Sequence, residues 1–96
     1  MRVKIFKIKE GKEEQWLSWC KFLVDHNDEV IQTLKEEENI REINYLFEHN
    51  REKFIVYFQE GKFKPASDCE LNKKHFKNLE ECLEKVSLEK LFDFKV

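Results

Sequence analysis

The chain has 96 residues, which is enough for one domain with a modest core, and 41% of them are hydrophobic. Lysine and arginine (18) nearly balance aspartate and glutamate (20), so the net charge of −2 argues against a nucleic-acid partner, which usually selects a clearly basic surface. No apolar run is long enough to cross a membrane, and the first residues lack the apolar core of a signal peptide. We therefore expect one cytoplasmic domain over residues 1–96, with no membrane contact.

The first two predicted elements are a strand and a long helix. Residues 2–9 follow a strand pattern and are apolar on both faces near their middle. From residue 11 to residue 38, apolar side chains recur every three or four positions and so form one helical stripe. The residues of this stripe are Trp16, Trp19, Cys20, Leu23, Val30, Ile31 and Leu34.

The long helix is expected to overhang the domain, to bend or to break, and its apolar stripe is interrupted at the polar segment 25–28, which reads Asp-His-Asn-Asp. An unbroken helix over 11–38 would be about 42 Å long, whereas a domain of this size has a radius of gyration of about 12–13 Å. Aspartate and asparagine favour helix caps over helix interiors. Asp25 or Asn27 is therefore predicted to cap a second helical segment.

Residues 40–48 and 53–60 are predicted to form a hairpin of two strands. Only a short polar segment separates them, and both are rich in aromatic and β-branched residues. Tyr45 lies on the first of these strands and Tyr57 on the second.

The remaining elements are a second helix and a last strand. A loop over 61–68 contains the only proline, and Asp68 is predicted to cap a helix that continues to about Val86. Residues 88–96 carry apolar side chains mostly at alternate positions, and we predict that they form the fourth strand.

The order β-α-β-β-α-β predicts an α+β domain with the ferredoxin-like arrangement, in which a four-stranded antiparallel sheet carries two helices on one face. The outer face of such a sheet is normally polar, but here several strands are apolar on both faces. A second apolar face requires a second cover. We therefore expect a homodimer, because a two-fold axis buries the same patch twice.

On this pattern the chain resembles the dimeric α+β barrel superfamily, which includes cofactor-free monooxygenases, chlorite-dismutase relatives and L-rhamnose mutarotases. The mutarotases have a similar long first helix with an aromatic residue and a His-Asn type of polar break, and a loop comparable to residues 66–68. Their Tyr and His four residues apart correspond here to Trp19 and Leu23, so the resemblance does not carry their activity over. It implies an uncharacterised bacterial family with a pocket between the first helix and the sheet.

His26 and His75 are the candidate catalytic residues, because histidine is the side chain best suited to proton transfer near neutral pH. Asn27 beside His26 is a candidate ligand contact. The alternative for His26 and Asn27 is that they only satisfy the helix break, and for His75 that it is a partly buried ring.

Four aromatic residues are further candidates for ligand binding. Tyr45 and Tyr57 could supply hydroxyl groups to a pocket, and Trp16 and Trp19 could form its wall. The alternative is that all four only pack in the core.

The sequence contains no signature of a metal or cofactor site. The three histidines lack metal-ligand spacing, and two glycines cannot form a phosphate-binding loop. The three cysteines have no C-x-x-C spacing and are expected to be free thiols.

The leading hypothesis from the sequence is a homodimer that binds a small ligand between the first helix and the sheet. One alternative is a cofactor-free isomerase, mutarotase-like or monooxygenase-like enzyme that uses His26 or His75 as acid or base. A second alternative is a non-catalytic dimerisation or interaction module.

Overall fold

The computed structural model describes residues 1–96 and has the α+β class and the four-stranded antiparallel sheet that the sequence predicts. It contains three helices where two were expected, because the first predicted helix is broken. In chain order the elements are β1 (Arg2–Ile8), α1 (Glu13–Asp25), α2 (Asn27–Glu36), β2 (Asn39–His49), β3 (Glu52–Gly61), α3 (Glu70–Cys82) and β4 (Leu83–Val86).

The sheet has the strand order β2-β3-β1-β4, and every neighbouring pair is antiparallel. Asn50 and Arg51 form the two-residue connection of the β2–β3 hairpin, with φ angles of 50° and 66°. Two successive residues with positive φ are what a type I′ turn requires, and this turn matches the right-handed twist of paired strands. The predicted hairpin is confirmed.

The two faces of the sheet differ in what covers them. The inner face, which includes Ile55 and Tyr57, contacts the helices, and these two side chains are buried. Val56 lies between Ile55 and Tyr57 in the sequence and points to the outer face, because successive side chains of a strand point to opposite faces. In the register, Val56 lies opposite Ile5 of β1 and Tyr45 of β2, so the outer face is also apolar.

The core lies between the inner face and the helices. Trp16 is fully buried, and Trp19, one helical turn further along α1, is 7% exposed. Both belong to the apolar stripe that the spacing of the first helix predicts. The whole buried cluster consists of Ile8, Trp16, Trp19, Ile55, Tyr57, Leu71, Cys82 and Leu83.

The first predicted helix breaks at His26, inside the polar segment, which confirms that prediction. The backbone of His26 has φ −112° and ψ 38°, and its N–H donates to the carbonyl oxygens of Phe22 and Leu23. The predicted cap by Asp25 or Asn27 is wrong. His26 itself occupies the cap position of α2, and no side chain bonds there to the first turn.

The prediction for the end of the chain is also wrong. The last helix ends at Cys82 instead of about Val86, and the fourth strand is Leu83–Val86 instead of 88–96. Leu79, Cys82, Leu83 and Val86 recur at helical spacing, which favours the longer helix, whereas in the structure Leu83 and Val86 lie on opposite faces of β4. Residues 87–96 adopt no regular structure.

The register explains why β4 is short. Ile5 of β1 pairs with Val86, and β1 begins only three residues before Ile5. A longer β4 would therefore soon extend beyond the end of its only partner strand. The predicted cap of the last helix shifts by one residue as well, because Cys69 rather than Asp68 precedes the first turn of α3.

A large apolar surface of the single chain remains uncovered. On the outer face Val3, Tyr45 and Phe47 are between 40% and 55% exposed. In the last ten residues Leu91 and Phe94 are more than 80% exposed.

None of the three helices combines the length and the hydrophobicity that a membrane-spanning helix needs.

Candidate functional site

A chain of hydrogen bonds connects the two layers of the fold through His75. The indole Nε1–H of Trp19 on α1 donates to Nδ1 of His75 on α3 across 2.9 Å. On the other side of the ring, Nε2 of His75 lies 3.5 Å from the hydroxyl oxygen of Tyr57 on β3. The site is thus formed by one side chain from each of three elements.

The partners of His75 define its protonation state. An indole nitrogen can only donate, so Nδ1 must accept and carries no proton. The proton of the neutral ring therefore sits on Nε2, which donates to the hydroxyl oxygen of Tyr57; this tautomer is inferred from the partners. Burial lowers the pKa of His75 to about 4, so the ring is neutral at neutral pH.

Burial shifts the pKa of Tyr57 in the opposite direction to that of His75. Burial is the main cause that raises its pKa above the ordinary value, followed by the charge of Glu42. The hydroxyl group is therefore protonated at neutral pH. Since its oxygen accepts a hydrogen bond from His75, its own hydrogen is available to another acceptor.

Packing holds both rings of this pair in place. Trp16 contacts Tyr57 edge to face, with ring centroids 6.5 Å apart and an interplanar angle of 68°. Leu71, four residues before His75 on α3, is buried in the same core. The hydroxyl group of Tyr57 is therefore presented by a rigid surrounding.

Beyond Tyr57 the inner face changes from apolar to polar. The row formed by Phe6, Ile55 and Leu46 is apolar apart from Lys85 of β4 at its edge, whereas the next two rows contain only polar or charged side chains. One of these rows has Tyr57 at its centre and the other has Gln59. We call the six residues the polar floor; they are Lys4, Tyr57, Asn44, Arg2, Gln59 and Glu42.

The polar floor is open along one side, where Arg2, Glu42 and Asn44 are exposed, and its hydrogen bonds are incomplete. Burial, with the nearby charges of Arg2 and Lys85, lowers the pKa of Lys4. Burial raises the pKa of Glu42, although a hydrogen bond from Gln59 opposes that shift. The amide nitrogen of Gln59 donates to Oε1 of Glu42 across 3.4 Å, whereas the amide oxygen of Gln59 is buried without a partner.

His26 lies at the helix break and is connected to His75 only through other rings. Its Nδ1 is 2.8 Å from the carbonyl oxygen of Phe22, and its ring stacks on that of Phe22 with centroids 3.9 Å apart. Phe22 stacks on Trp19, and Trp19 stacks on His75. Two aromatic rings thus separate the two histidines, which the structure does not bring into contact.

Asn27 and Tyr45 are placed away from this chain of hydrogen bonds. Asn27 is the exposed first residue of α2. Tyr45 is 55% exposed on the outer face and contacts Phe58 edge to face at 6.0 Å. Of the seven residues that the sequence analysis selects, the structure therefore brings four together at the inner face: Trp16, Trp19, Tyr57 and His75.

The polar floor is not predicted from the sequence. Its signal is present in the chain, because Arg2 and Lys4 are in phase with Phe6, while Glu42 and Asn44 are in phase with Leu46. When polar residues continue the apolar face of several neighbouring strands, they indicate a polar patch on that face of the sheet. The signal becomes readable only once the register shows that these positions are adjacent.

Two open depressions of about 670 and 590 Å³ lie elsewhere on the surface. The first lies along the start of α1, and the second separates α2 from the segment that precedes α3. Cys69 lines the second, and hydrogen bonds from Ser67 and from the N–H of Asn72 lower the pKa of its thiol. All three cysteines are free thiols, and no three His, Cys, Asp or Glu side chains are grouped to hold a metal ion.

Comparison with known proteins gives one family match. Residues 1–95 match a family that is described as a family of unknown function, DUF6176. No curated protein and no solved structure matches the chain.

Proposed function

The chain belongs to the DUF6176 family, whose function is unknown, and we propose that it binds a small polar ligand between its helical layer and the inner face of the sheet. One observation carries the proposal. The hydroxyl group of Tyr57 lies 3.5 Å from Nε2 of His75, whose ring is held by Trp19, and Tyr57 shares the inner face with the other polar side chains of the floor.

This arrangement has the properties of a preorganised binding site. Small-molecule sites combine apolar walls with a few fixed polar groups, and rigid groups lose little entropy when a ligand binds. Trp16 and Trp19 supply buried aromatic surface, and Tyr57 supplies a fixed donor. If this buried network served packing alone, it would cost folding stability. Apolar side chains could fill the same space without buried polar atoms that need hydrogen-bond partners.

The proposal includes a homodimer in the cytoplasm in which the two outer faces pack against each other. This is the dimeric α+β barrel of ferredoxin-like units that the resemblance implies. Its support is the uncovered apolar surface around Tyr45, Phe47 and Val56, which exceeds what single surface residues account for. A two-fold interface uses the same apolar face of both copies.

The last ten residues fit the same dimer. They have no regular structure in the single chain, and they carry the apolar residues Leu88, Leu91, Phe92, Phe94 and Val96. Their apolar side chains are exposed in the single chain. A second copy would supply the cover that β1 is too short to give.

A second candidate function is cofactor-free acid–base catalysis, such as isomerase or monooxygenase-like chemistry. The opposite pKa shifts of His75 and Tyr57 in one cluster favour it, because such pairs concentrate at catalytic sites. Since Nδ1 of His75 is occupied, the group that meets a substrate would be the hydroxyl of Tyr57, with His75 as its positioning residue. His26 remains the alternative acid or base of the sequence analysis.

A ligand screen on two tyrosine variants tests the proposal. Wild type, Tyr57→Phe and Tyr45→Phe are screened against a library of small polar metabolites by melting-temperature shift and by ligand-observed NMR. Tyr57→Phe removes the inner hydroxyl and should weaken binding by about tenfold or more, whereas the matched change on the outer face should not. Hits that bind all three proteins equally would refute the site, and a screen without hits would leave the dimerisation module as the function.

A further inference from the structure

We infer that the polar floor selects a small hydroxycarboxylate, a ligand with one carboxylate and at least one hydroxyl group on a chain of three to six carbons. This inference rests on the proposed function, since it names the chemical class that the same site takes. It follows from the charges, the unpartnered atom and the dimensions of the floor.

The cations of the floor point to the carboxylate. Arg2 and Lys4 are two positions apart on β1 and share a face, and Lys85 of the neighbouring strand lies close to Lys4. Two carboxylates, Glu42 on the floor and Glu37 after α2, are near enough to influence these groups. Glu36 acts on Glu37 as well, so three cations face three carboxylates, and only the placement of Arg2 and Lys4 on one strand face points to an anion.

The position of Arg2 also suits a carboxylate. Its guanidinium carbon lies 3.8 Å from the ring centroid of Phe63, which orients the planar group at the edge of the floor. Neither Arg2 nor Lys4 forms an ion pair with an acidic side chain in the structure. A carboxylate can accept hydrogen bonds from both.

The acceptors of the floor point to the hydroxyl group. The amide oxygen of Gln59 is buried without a hydrogen-bond partner, and a buried acceptor of this kind costs free energy unless a donor reaches it. Glu42 beside it accepts only one long hydrogen bond, of 3.4 Å. A ligand hydroxyl can donate to Gln59 and accept from Tyr57.

The spacing of the strands sets the size of the ligand. Adjacent strands are about 4.8 Å apart, so the backbone of β1, which carries the cations, lies about 5 Å from that of β3 and about 10 Å from that of β2. A carboxylate and a hydroxyl group on a chain of three to six carbons cover this range. Gluconate presents hydroxyl groups over the longer distance, and lactate presents one hydroxyl group next to its carboxylate.

Other classes leave part of the floor unmatched. A neutral sugar would leave Arg2 and Lys4 without an anion. An amine would be repelled by both cations, and a plain carboxylate would leave the amide oxygen of Gln59 without a donor.

The test uses the full chain at neutral pH and four defined probes. Gluconate and lactate have both groups, acetate has only the carboxylate, and glucose has only hydroxyl groups. Binding is measured by calorimetry and by amide chemical shifts. Lys4→Met removes one cation of the floor, Lys4→Arg keeps the charge, and Lys7→Met is the matched control on the opposite face of the same strand.

We expect gluconate or lactate to bind at least about tenfold more tightly than acetate and glucose. Lys4→Met should lose about tenfold or more in affinity, while Lys4→Arg and Lys7→Met stay within about threefold of wild type. If glucose or another neutral library compound binds through Tyr57 and gluconate and lactate do not, the class is wrong and the proposed function survives. If no probe and no library compound binds, both are wrong, and equal affinity of Lys4→Met and wild type for gluconate would also overturn the inference.

Discussion

The indole nitrogen of Trp19 donates to Nδ1 of His75 across 2.9 Å, and this contact determines which nitrogen of the imidazole carries the proton. Because Nδ1 is occupied, Nε2 faces the hydroxyl group of Tyr57 as a donor. A histidine in this state positions its neighbour and does not exchange protons near neutral pH. The contact therefore connects the packing of α1 to the chemistry available at the sheet.

The first prediction concerns stability at low pH. The pKa of His75 in the folded protein, about 4, lies below the ordinary value of 6.5, so folding opposes protonation of this ring. The stabilisation is complete above pH 6.5 and is lost as the pH falls from 6.5 towards 4, to a total of about 3 kcal/mol. Glu42 and Glu37 act in the opposite direction, because their raised pKa values favour the folded state as they become protonated.

A matched variant isolates the contribution of His75. His75→Gln does not titrate, yet its amide can accept from Trp19 and donate to Tyr57. Urea unfolding between pH 7 and pH 4 should show a smaller loss of stability for this variant than for wild type. If the free energy of unfolding falls equally with pH in both proteins, folding does not oppose the protonation of His75.

The second prediction concerns the hydrogen bond from Trp19 itself. Trp19→Phe keeps an aromatic ring on His75 but removes the donor that favours the neutral imidazole, so the pKa of His75 should rise. The variant should also lose about 1–3 kcal/mol of stability through the lost bond and the smaller ring. An NMR titration of the imidazole signals measures the pKa.

Trp16→Phe is the control for that titration. The Nε1 of Trp16 is buried without a partner, so this change removes ring volume without removing a hydrogen bond. It should leave the pKa of His75 nearly unchanged. If both tryptophan variants shift it equally, packing rather than the Trp19 hydrogen bond controls the ring.

The third prediction concerns assembly and uses two successive residues of β3. Ile55 points to the core and is 1% exposed, whereas Val56 points to the outer face. Ile55→Asp should prevent folding, because it buries an unpaired charge. Val56→Asp should leave the chain folded and monomeric, because it disrupts only the proposed contact between two sheets.

Light scattering and circular dichroism distinguish these outcomes. Wild type should have about twice the chain mass of 11.8 kDa at micromolar concentration. A wild-type monomer at that concentration would refute the proposed dimer.

The fourth prediction concerns the helix break. His26→Ala removes the bond to the carbonyl oxygen of Phe22 and a stacked ring, which should cost about 1–2 kcal/mol. Asn27→Leu should change stability by no more than about 0.5 kcal/mol, because Asn27 is exposed. Both should keep ligand affinity, since two rings separate His26 from His75; a loss of affinity at unchanged melting temperature would instead place His26 in the site.

The sequence predicts most of the fold because its local signals agree with one another. The apolar stripe from Trp16 to Leu34, the polar segment at His26 and the short polar connection before β3 each correspond to a feature of the structure. The end of the chain fails for a physical reason. A strand over 88–96 requires a partner, and β1 does not extend far enough to be that partner.

The candidate site is harder to predict because both sheet faces are apolar near their middle. Periodicity shows that Tyr45 and Tyr57 lie on strands, but it cannot show which of them points to the helices. Lys4 and Glu42 become neighbours of the Tyr57 site only through the register of three strands. Sequence separation hides such a surface until strand pairing is known.

Chemical-shift mapping is the most direct test of the central claim, which is that a ligand binds the inner face at Tyr57. A hit from the screen is titrated into labelled protein, and the shifted backbone amides are assigned. We predict that the largest shifts fall at Lys4, Asn44, Tyr57 and Gln59 and that they disappear in Tyr57→Phe. Shifts confined to the outer face around Tyr45, or to the depression beside Cys69, would contradict the account.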